Sequence, residues 1–262
     1  MELQVDDKRA FATTGGRAFD ATQPTVLLVH GAGMDHTVWV LQTRYFAHHG
    51  RNVLAIDLPG HGRSEGPALT SIGGMADWLF RLLDAVGVEA AAVVGHSMGS
   101  LIALEFSARH PERVTTAALL STAVPMAVSE ELLSASKAND HDAIDMITVW
   151  GHGQGAQLGG HKAPGLWMTG SAERLLEQAA DGVLYTDLSA CNDYQGGLDA
   201  ASRVQCPVLM VMGQDDRMTP PRTARGLTDA FPGAQTVIIK GCGHMMMIER
   251  PDQVLDTLRE AI

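Results

Sequence analysis

The sequence predicts an α/β domain: a mostly parallel sheet with helices on both faces and a helical insertion ahead of its last two strands. Three observations carry that expectation. Short apolar runs alternate with helix-length amphipathic segments, which is the rhythm of strand–helix–strand units. The runs lack the period of two that a half-exposed strand shows, so both of their faces are expected to be covered. The alternation then stops over one long stretch in the second half of the chain.

Taken in order, residues 3–13 are read as one or two edge strands. Runs at 25–30, 53–57, 90–95, 115–121, 208–213 and 236–239 are read as strands. Val26-Leu27-Leu28-Val29 and Val208-Leu209-Met210-Val211-Met212 are apolar at every position, as strands buried between two helix layers are. Segments 72–86, 97–109, 222–231 and 252–262 have the length and pattern of helices. From 125 to 197 the rhythm is lost, and short helical candidates at 130–138 and 172–180 flank a Gly-rich stretch at 151–160. A structureless loop of that length is improbable in a compact domain. A helical cap, 125–197, is therefore expected on a core made of 1–124 and 198–262. Of its apolar residues, Met146, Trp150 and Trp167 are expected to line a pocket, the alternative being that they pack the insertion onto the core.

The 262 residues suffice for one folding unit with a large core. Nineteen Lys and Arg stand against 30 Asp and Glu, a net charge of −11, which repels a phosphate backbone or an anionic membrane surface. Neither nucleic acid nor membrane is an expected partner. The first residues are acidic and lack the basic flank and apolar run of a secretory signal, and no stretch has ~18 uninterrupted apolar residues. A cytoplasmic location is expected. Cys191, Cys206 and Cys242 are odd in number and widely spaced, which fits neither a disulfide framework nor a metal site. The eleven histidines lack the Cys or carboxylate spacing of a zinc site, so no metal and no cofactor is expected. Oligomeric state stays open.

The chemistry begins at Gly95-His96-Ser97-Met98-Gly99, a G-x-S-x-G pentapeptide that follows an expected strand and opens an expected helix. A serine on that turn takes a strained conformation that exposes its hydroxyl, and the glycines remove side chains that would collide where strand and helix cross. Ser97 as a plain helix N-cap would explain the serine but not the glycines. A serine hydroxyl is a weak nucleophile until a base takes its proton, so a downstream histidine oriented by a carboxylate is required. Gly213-Gln214-Asp215-Asp216-Arg217 opens a loop after one late strand, and Gly241-Cys242-Gly243-His244 follows the next. Both loops belong to the carboxyl edge of the sheet, where open α/β sheets bind ligands.

With these motifs, together with His30-Gly31-Ala32-Gly33, Asp57-Leu58-Pro59-Gly60-His61-Gly62-Arg63-Ser64 and His110-Pro111-Glu112-Arg113-Val114, the chain resembles the α/β-hydrolase superfamily nearly end to end. It is most similar to the capped branch of small bacterial esterases, lactonases and carbon–carbon bond hydrolases. The resemblance implies a catalytic triad of Ser97, Asp216 and His244, since the family acid stands three residues after the glycine and so selects Asp216 over Asp215. It implies an oxyanion hole made by the backbone N–H groups of Ala32 and Met98. Met98 and Met245 are expected to touch substrate, whereas His30, His61 and His96 are expected to make loop-fixing hydrogen bonds.

The expected activity is cleavage of a small carboxylic ester through an acyl-enzyme on Ser97, with a small acyl compound as the partner. Family members that break carbon–halogen or epoxide bonds carry an aspartate where Ser97 stands. A carbon–carbon hydrolase of diketo acids is the nearest rival, although such relatives often carry tryptophan where Met245 follows His244. An enol-lactonase is a further alternative. A small-molecule receptor built on a hydrolase pocket is the alternative from another class, and a complete triad argues against purely passive binding.

Overall fold

The computed structural model describes residues 1–161 and 165–262; residues 162–164 of the expected cap lie outside the described residues. Eight strands form one sheet: β1 (Glu2–Val5), β2 (Lys8–Thr13), β3 (Thr25–Val29), β4 (Asn52–Asp57), β5 (Ala91–His96), β6 (Val114–Leu120), β7 (Val208–Gly213) and β8 (Gln235–Ile239). Their order is β1-β2-β4-β3-β5-β6-β7-β8, with β1 and β2 antiparallel and every pair from β4 to β8 parallel. The order reverses around β3, which lies between β4 and β5. Val29 pairs with Gly95 and His96 with Leu120, so these strands end together on one edge.

The helices are α1 (Val40–His48), α2 (Ile72–Val86), α3 (Met98–Arg109), α4 (Glu130–Lys137), α5 (Asp142–Gly151), α6 (Gln154–Gln157), α7 (Met168–Glu177), α8 (Val183–Asp193), α9 (Gly197–Ala201), α10 (Arg225–Ala230), α11 (Met246–Glu249) and α12 (Pro251–Ala261). Alternate strand residues feed two separate apolar layers. Leu27, Leu54 and Val93 face α2 and α3 through Leu79, Leu83 and Phe106. Val26, Leu28 and Val94 face the other side with Trp39, Phe46, Met247 and Leu258. Both faces are covered, which is why the strands read as apolar throughout. Helix α2 shows how local sequence sets its ends. Ser71 caps it by accepting from the Gly74 N–H at 3.1 Å, and Gly87, at φ 70°, closes it in the left-handed region.

The expected strands are all present within one or two residues of the expected limits, and residues 3–13 form the antiparallel pair β1–β2. Three helical readings differ, the candidate at 172–180 being α7, which runs from Met168 to Glu177. The segment expected as one helix at 222–231 is a 3-10 turn, Pro221–Ala224, followed by the short α10. Helix α1 was not anticipated: its buried face includes Gln42 and Thr43, and the Gln42 side-chain amide donates to the Met247 carbonyl at 3.0 Å, so its pattern is not apolar.

Between β6 and β7 the described chain is helical, α4 to α9, and part of it covers the carboxyl edge of the sheet. A third apolar cluster joins Leu132, Ile147, Leu176 and Leu188 from this segment to Met34 and Met245 from sheet-edge loops.

Candidate active site

Ser97 occupies the single residue between β5 and α3, at φ 54° and ψ −120°. A non-glycine residue there stores on the order of 1–3 kcal/mol of strain. The surroundings hold it in place: its N–H donates to the Leu120 carbonyl at 2.9 Å. Ser97 stands at the N-cap position but its side chain makes no capping hydrogen bond, so capping does not account for the conformation. The glycines are required sterically. A Cβ on Gly95 would lie 1.9 Å from the Gly99 carbonyl oxygen, and one on Gly99 would lie 2.3 Å from that of Val29.

Asp216 is buried in the loop after β7. Its Oδ1 accepts from the N–H groups of Met218 at 2.9 Å and Thr219 at 2.8 Å. Its Oδ2 accepts from the Thr219 hydroxyl and from Nδ1 of His244, each at 2.8 Å. Burial raises the carboxyl pKa, but the facing charge of His244 and the hydrogen bonds from His244 and Thr219 outweigh burial and hold it well below the usual range. The acid is thus an anion acceptor, and Nδ1 of His244 carries the proton it receives, which leaves Nε2 as the free nitrogen. Asp215 is exposed, and its N–H donates to the Cys242 carbonyl at 2.8 Å; Asp216 is the neighbour that reaches His244.

The backbone of His244 is fixed from three sides. Its N–H donates to the Gly151 carbonyl at 2.9 Å. Its carbonyl accepts from Nε2 of His96 at 2.9 Å and from the Ser121 hydroxyl at 3.1 Å. Burial pulls the His96 pKa down to about 3, so this ring is a neutral donor. Glu249 accepts from Gly243 N–H at 3.0 Å and Gly153 N–H at 3.1 Å, tying the loop before His244 to the helical segment, and burial raises its carboxyl pKa.

Ser97 and His244 line one cavity of about 200 Å³, together with Ala32, Trp150, Ile147 and Met218. A more open crevice of about 690 Å³ runs along Gln214 to Arg217 and contains neither Ser97 nor His244. The smaller cavity is the one where chemistry can occur. Met98 is the first residue of α3, and the first N–H groups of a helix have no partner within it. Its side chain is fully buried in the core beneath the sheet edge and does not line the cavity, which corrects the expectation of substrate contact through the thioether.

Of the expected pocket residues, Trp150 lines the cavity. Met146 packs at the edge of the third apolar cluster instead, on the neighbouring turn of α5. Trp167 is 66% exposed, because it precedes α7 with its ring over Gly170. Met245 is buried and borders a separate crevice of about 260 Å³ with Val38 and Ile248; it is not among the residues lining the Ser97 cavity. Sequence reading missed Met34, Leu132 and Leu188, which line the cavity from three different segments and carry no local signal.

The remaining motif histidines bind loops. His30 donates through Nδ1 to the Gly31 carbonyl at 2.8 Å and accepts at Nε2 from the Leu58 N–H at 3.1 Å. Asp57 ends β4 and accepts from His36 and from the Arg63 N–H. Asp35, His36 and Asp57 are close enough to share a metal ion, but His36 and Asp57 already bond each other at 2.7 Å and Asp35 already accepts from Thr37. Among the described residues, no helix is long and apolar enough to cross a membrane.

A strained serine turn at the carboxyl edge of a parallel sheet, sharing a cavity with a carboxylate-bound histidine, defines a hydrolase. The family model for the alpha/beta hydrolase family matches residues 26–257, and the chain belongs to that family. It is 28% identical over 258 residues to a protein of Klebsiella pneumoniae named putative carbamate hydrolase RutD, covering 91% of each chain. It is 24% identical over 241 residues to the (E)-2-((N-methylformamido)methylene)succinate hydrolase of Acinetobacter baylyi, covering 87% of this chain and 86% of that one. The solved enol-lactonase of Burkholderia xenovorans superposes with a TM-score of 0.86 at 22% identity, over 99% of this chain and 98% of the other.

Proposed function

We propose that the protein is a serine hydrolase that cleaves a small carboxylic ester through an acyl-enzyme on Ser97. The observation that carries this reading is the pairing of Ser97, at φ 54°, with His244 on one cavity while His244 Nδ1 bonds Asp216 at 2.8 Å. His244 Nε2 takes the Ser97 proton as the hydroxyl oxygen attacks the acyl carbon. The developing oxyanion is received by the N–H groups of Ala32 and Met98, each such donor being worth about 10²- to 10³-fold in kcat. The imidazolium then gives its proton to the departing alcohol. Water, deprotonated by the same nitrogen, releases the acid and restores Ser97. Asp216 stays ionised throughout and stabilises the imidazolium.

The helical segment 125–197 acts as a cap that closes the cavity from above, and its Ile147 and Trp150 limit the acyl group. At about 200 Å³ the cavity suits a small acyl chain. The test is turnover of p-nitrophenyl esters from acetate upward by wild type and Ser97→Ala. Turnover abolished by the substitution, with preference for short chains, is the expected result. Wild-type protein without ester turnover, but cleaving a vinylogous diketo acid, would replace this reading by carbon–carbon hydrolysis.

A further inference from the structure

Asp187 is a fully buried carboxylate in the middle of α8. Its Oδ2 accepts from the Gly33 N–H at 2.8 Å and from Nε2 of His61 at 2.8 Å. The other nitrogen of His61 faces the Pro59 carbonyl at 3.1 Å, so both ring nitrogens meet acceptors, as suits an imidazolium. Burial lowers the His61 pKa, but the charge and hydrogen bond of Asp187 outweigh it and raise the pKa overall.

The peptide held in this way adjoins the proposed oxyanion donor. The carbonyl of Gly31 is bonded by His30, the N–H of Gly33 by Asp187, and Ala32 lies between them facing the cavity. Gly33 adopts φ +67°, and a Cβ there would lie 2.9 Å from Leu184 Cδ1, so α8 packs directly against this turn. The second carboxylate oxygen, Oδ1, has no hydrogen-bond partner among the described residues. A buried charge that is only half satisfied is a poor device for fastening helices, because an apolar pair of the same volume stabilises as well or better. It is a good device for fixing a peptide plane.

Resting on the serine-hydrolase reading, we infer that Asp187 is a positioning residue: the cap carboxylate grips the Gly31–Gly33 turn through Gly33 and His61. It keeps the Ala32 N–H aimed at the oxyanion, and so makes catalysis depend on how the cap sits. The donor next to Asp187 matters only when charge builds on the acyl oxygen, so loss of the grip lowers kcat and leaves ground-state binding nearly unchanged.

The test compares Asp187→Ala and Asp187→Asn with Tyr194→Phe. Tyr194 donates to Glu105 at 2.6 Å, a second link between the helical segment and the core that does not involve the oxyanion turn. Three quantities are read: kcat and KM on p-nitrophenyl acetate, affinity for phenylboronic acid as a tetrahedral mimic, and hydrogen exchange at the Gly33 amide. Asp187→Ala is expected to lower kcat about 10- to 100-fold with KM within about threefold, weaken boronate binding in parallel, and speed exchange at Gly33. The asparagine variant retains one acceptor and an amide that can pair with neutral His61, so it should recover much of kcat. If Asp187→Ala does not fold, Asp187→Asn against Tyr194→Phe at matched Tm loss decides the point. An unchanged kcat and unchanged Gly33 exchange, or equal kcat losses in the Asp187 and Tyr194 variants, would overturn the proposal. Failure of the wild type on every ester removes the serine reading instead, and Gly33 exchange still decides whether Asp187 holds the turn.

Discussion

The hydroxyl of Thr219 and Nδ1 of His244 both donate to a single oxygen, Oδ2 of Asp216, each at 2.8 Å. The hydroxyl therefore shares the charge that orients the imidazole. Thr219→Val removes this donor while retaining the shape and the backbone N–H to Oδ1. A hydrogen bond to a charged group contributes about 1.5–3 kcal/mol, and only part of that is expressed in the transition state. The expected result is a fall in kcat of roughly 3- to 30-fold on a p-nitrophenyl ester. Asp216→Asn, which forces the wrong tautomer on His244, should fall by on the order of 10³- to 10⁴-fold. Equal losses in the two variants would show that the hydroxyl, and not the carboxylate charge, orients His244.

The close approach of β5 and α3 at Gly95 and Gly99 bears on stability. Gly95→Ala introduces a Cβ at 1.9 Å from the Gly99 carbonyl oxygen, a contact with backbone that no rotamer change relieves. Either β5 or α3 must shift, and overpacking against backbone costs about 3 kcal/mol or more. Urea unfolding should show a midpoint reduced accordingly, with activity reduced in the fraction that remains folded. Gly87→Ala, by contrast, requires a positive φ but meets no atom within 4 Å, so its cost should be limited to about 1 kcal/mol of backbone strain.

These contrasts show what the sequence makes legible. The strands and the Ser97 turn are visible because their signals are local: unbroken apolar runs, and two glycines flanking a serine between strand and helix. Asp216 and His244, which the family resemblance picks out, lie in loops just beyond two strands, and they bond each other at 2.8 Å. The anchors of the helical segment are not visible. Asp187 bonds a backbone N–H 154 positions away and Glu249 bonds one 96 positions away, and a backbone partner leaves no residue type to read. Apolar identity gave direction poorly for the same reason: Trp150 faces the cavity whereas Trp167, equally apolar, lies on the surface. Helix α1 escaped notice because Gln42 occupies a core position by satisfying a carbonyl there.

Acid sensitivity follows from the buried imidazoles. His30 and His96 are wholly inaccessible, and burial pulls their pKa values down to about 4 and about 3. In the unfolded chain each takes its proton near ~6.5. Between these values the unfolded state binds more protons, so folding stability falls as pH drops below ~6.5, by up to ~1.4 kcal/mol per pH unit for each ring. Asp216 acts in the same direction further down: its depressed pKa contributes stability above the ordinary carboxylate range that is lost as pH falls through its folded value. His61 opposes, since its raised pKa contributes most below ~6.5 and is lost as pH rises through the folded value. Three buried rings, His30, His96 and His152, are lowered against His61 and the exposed His141, which are raised, so urea midpoints should decline from pH 7 to pH 5. His96→Gln, whose amide can donate to the His244 carbonyl without titrating, should flatten that decline; an unchanged slope would contradict the buried neutral ring.

On the proposed serine-hydrolase reading, chain-length preference should be set by the α5 side of the cavity, because the opposite side is built from the proposed catalytic residues. Ser97, Ala32 and His244 form that fixed side, whereas Ile147 and Trp150 project from α5. Ile147 is buried and Trp150 is half-buried, so truncating the tryptophan adds space next to the acyl group at a smaller loss of core packing. Trp150→Ala is expected to raise kcat/KM for longer p-nitrophenyl esters relative to acetate, by roughly 10-fold or more given about 0.8 kcal/mol per methylene newly accommodated. Ile147→Ala should shift the preference less and cost more stability, about 2–4 kcal/mol. The decisive measurement is the ratio of octanoate to acetate kcat/KM in the three proteins. A ratio unmoved by Trp150→Ala would mean that the acyl chain leaves the cavity by another route, and the crevice bordered by Met245 and Ile248 would then be the place to substitute next.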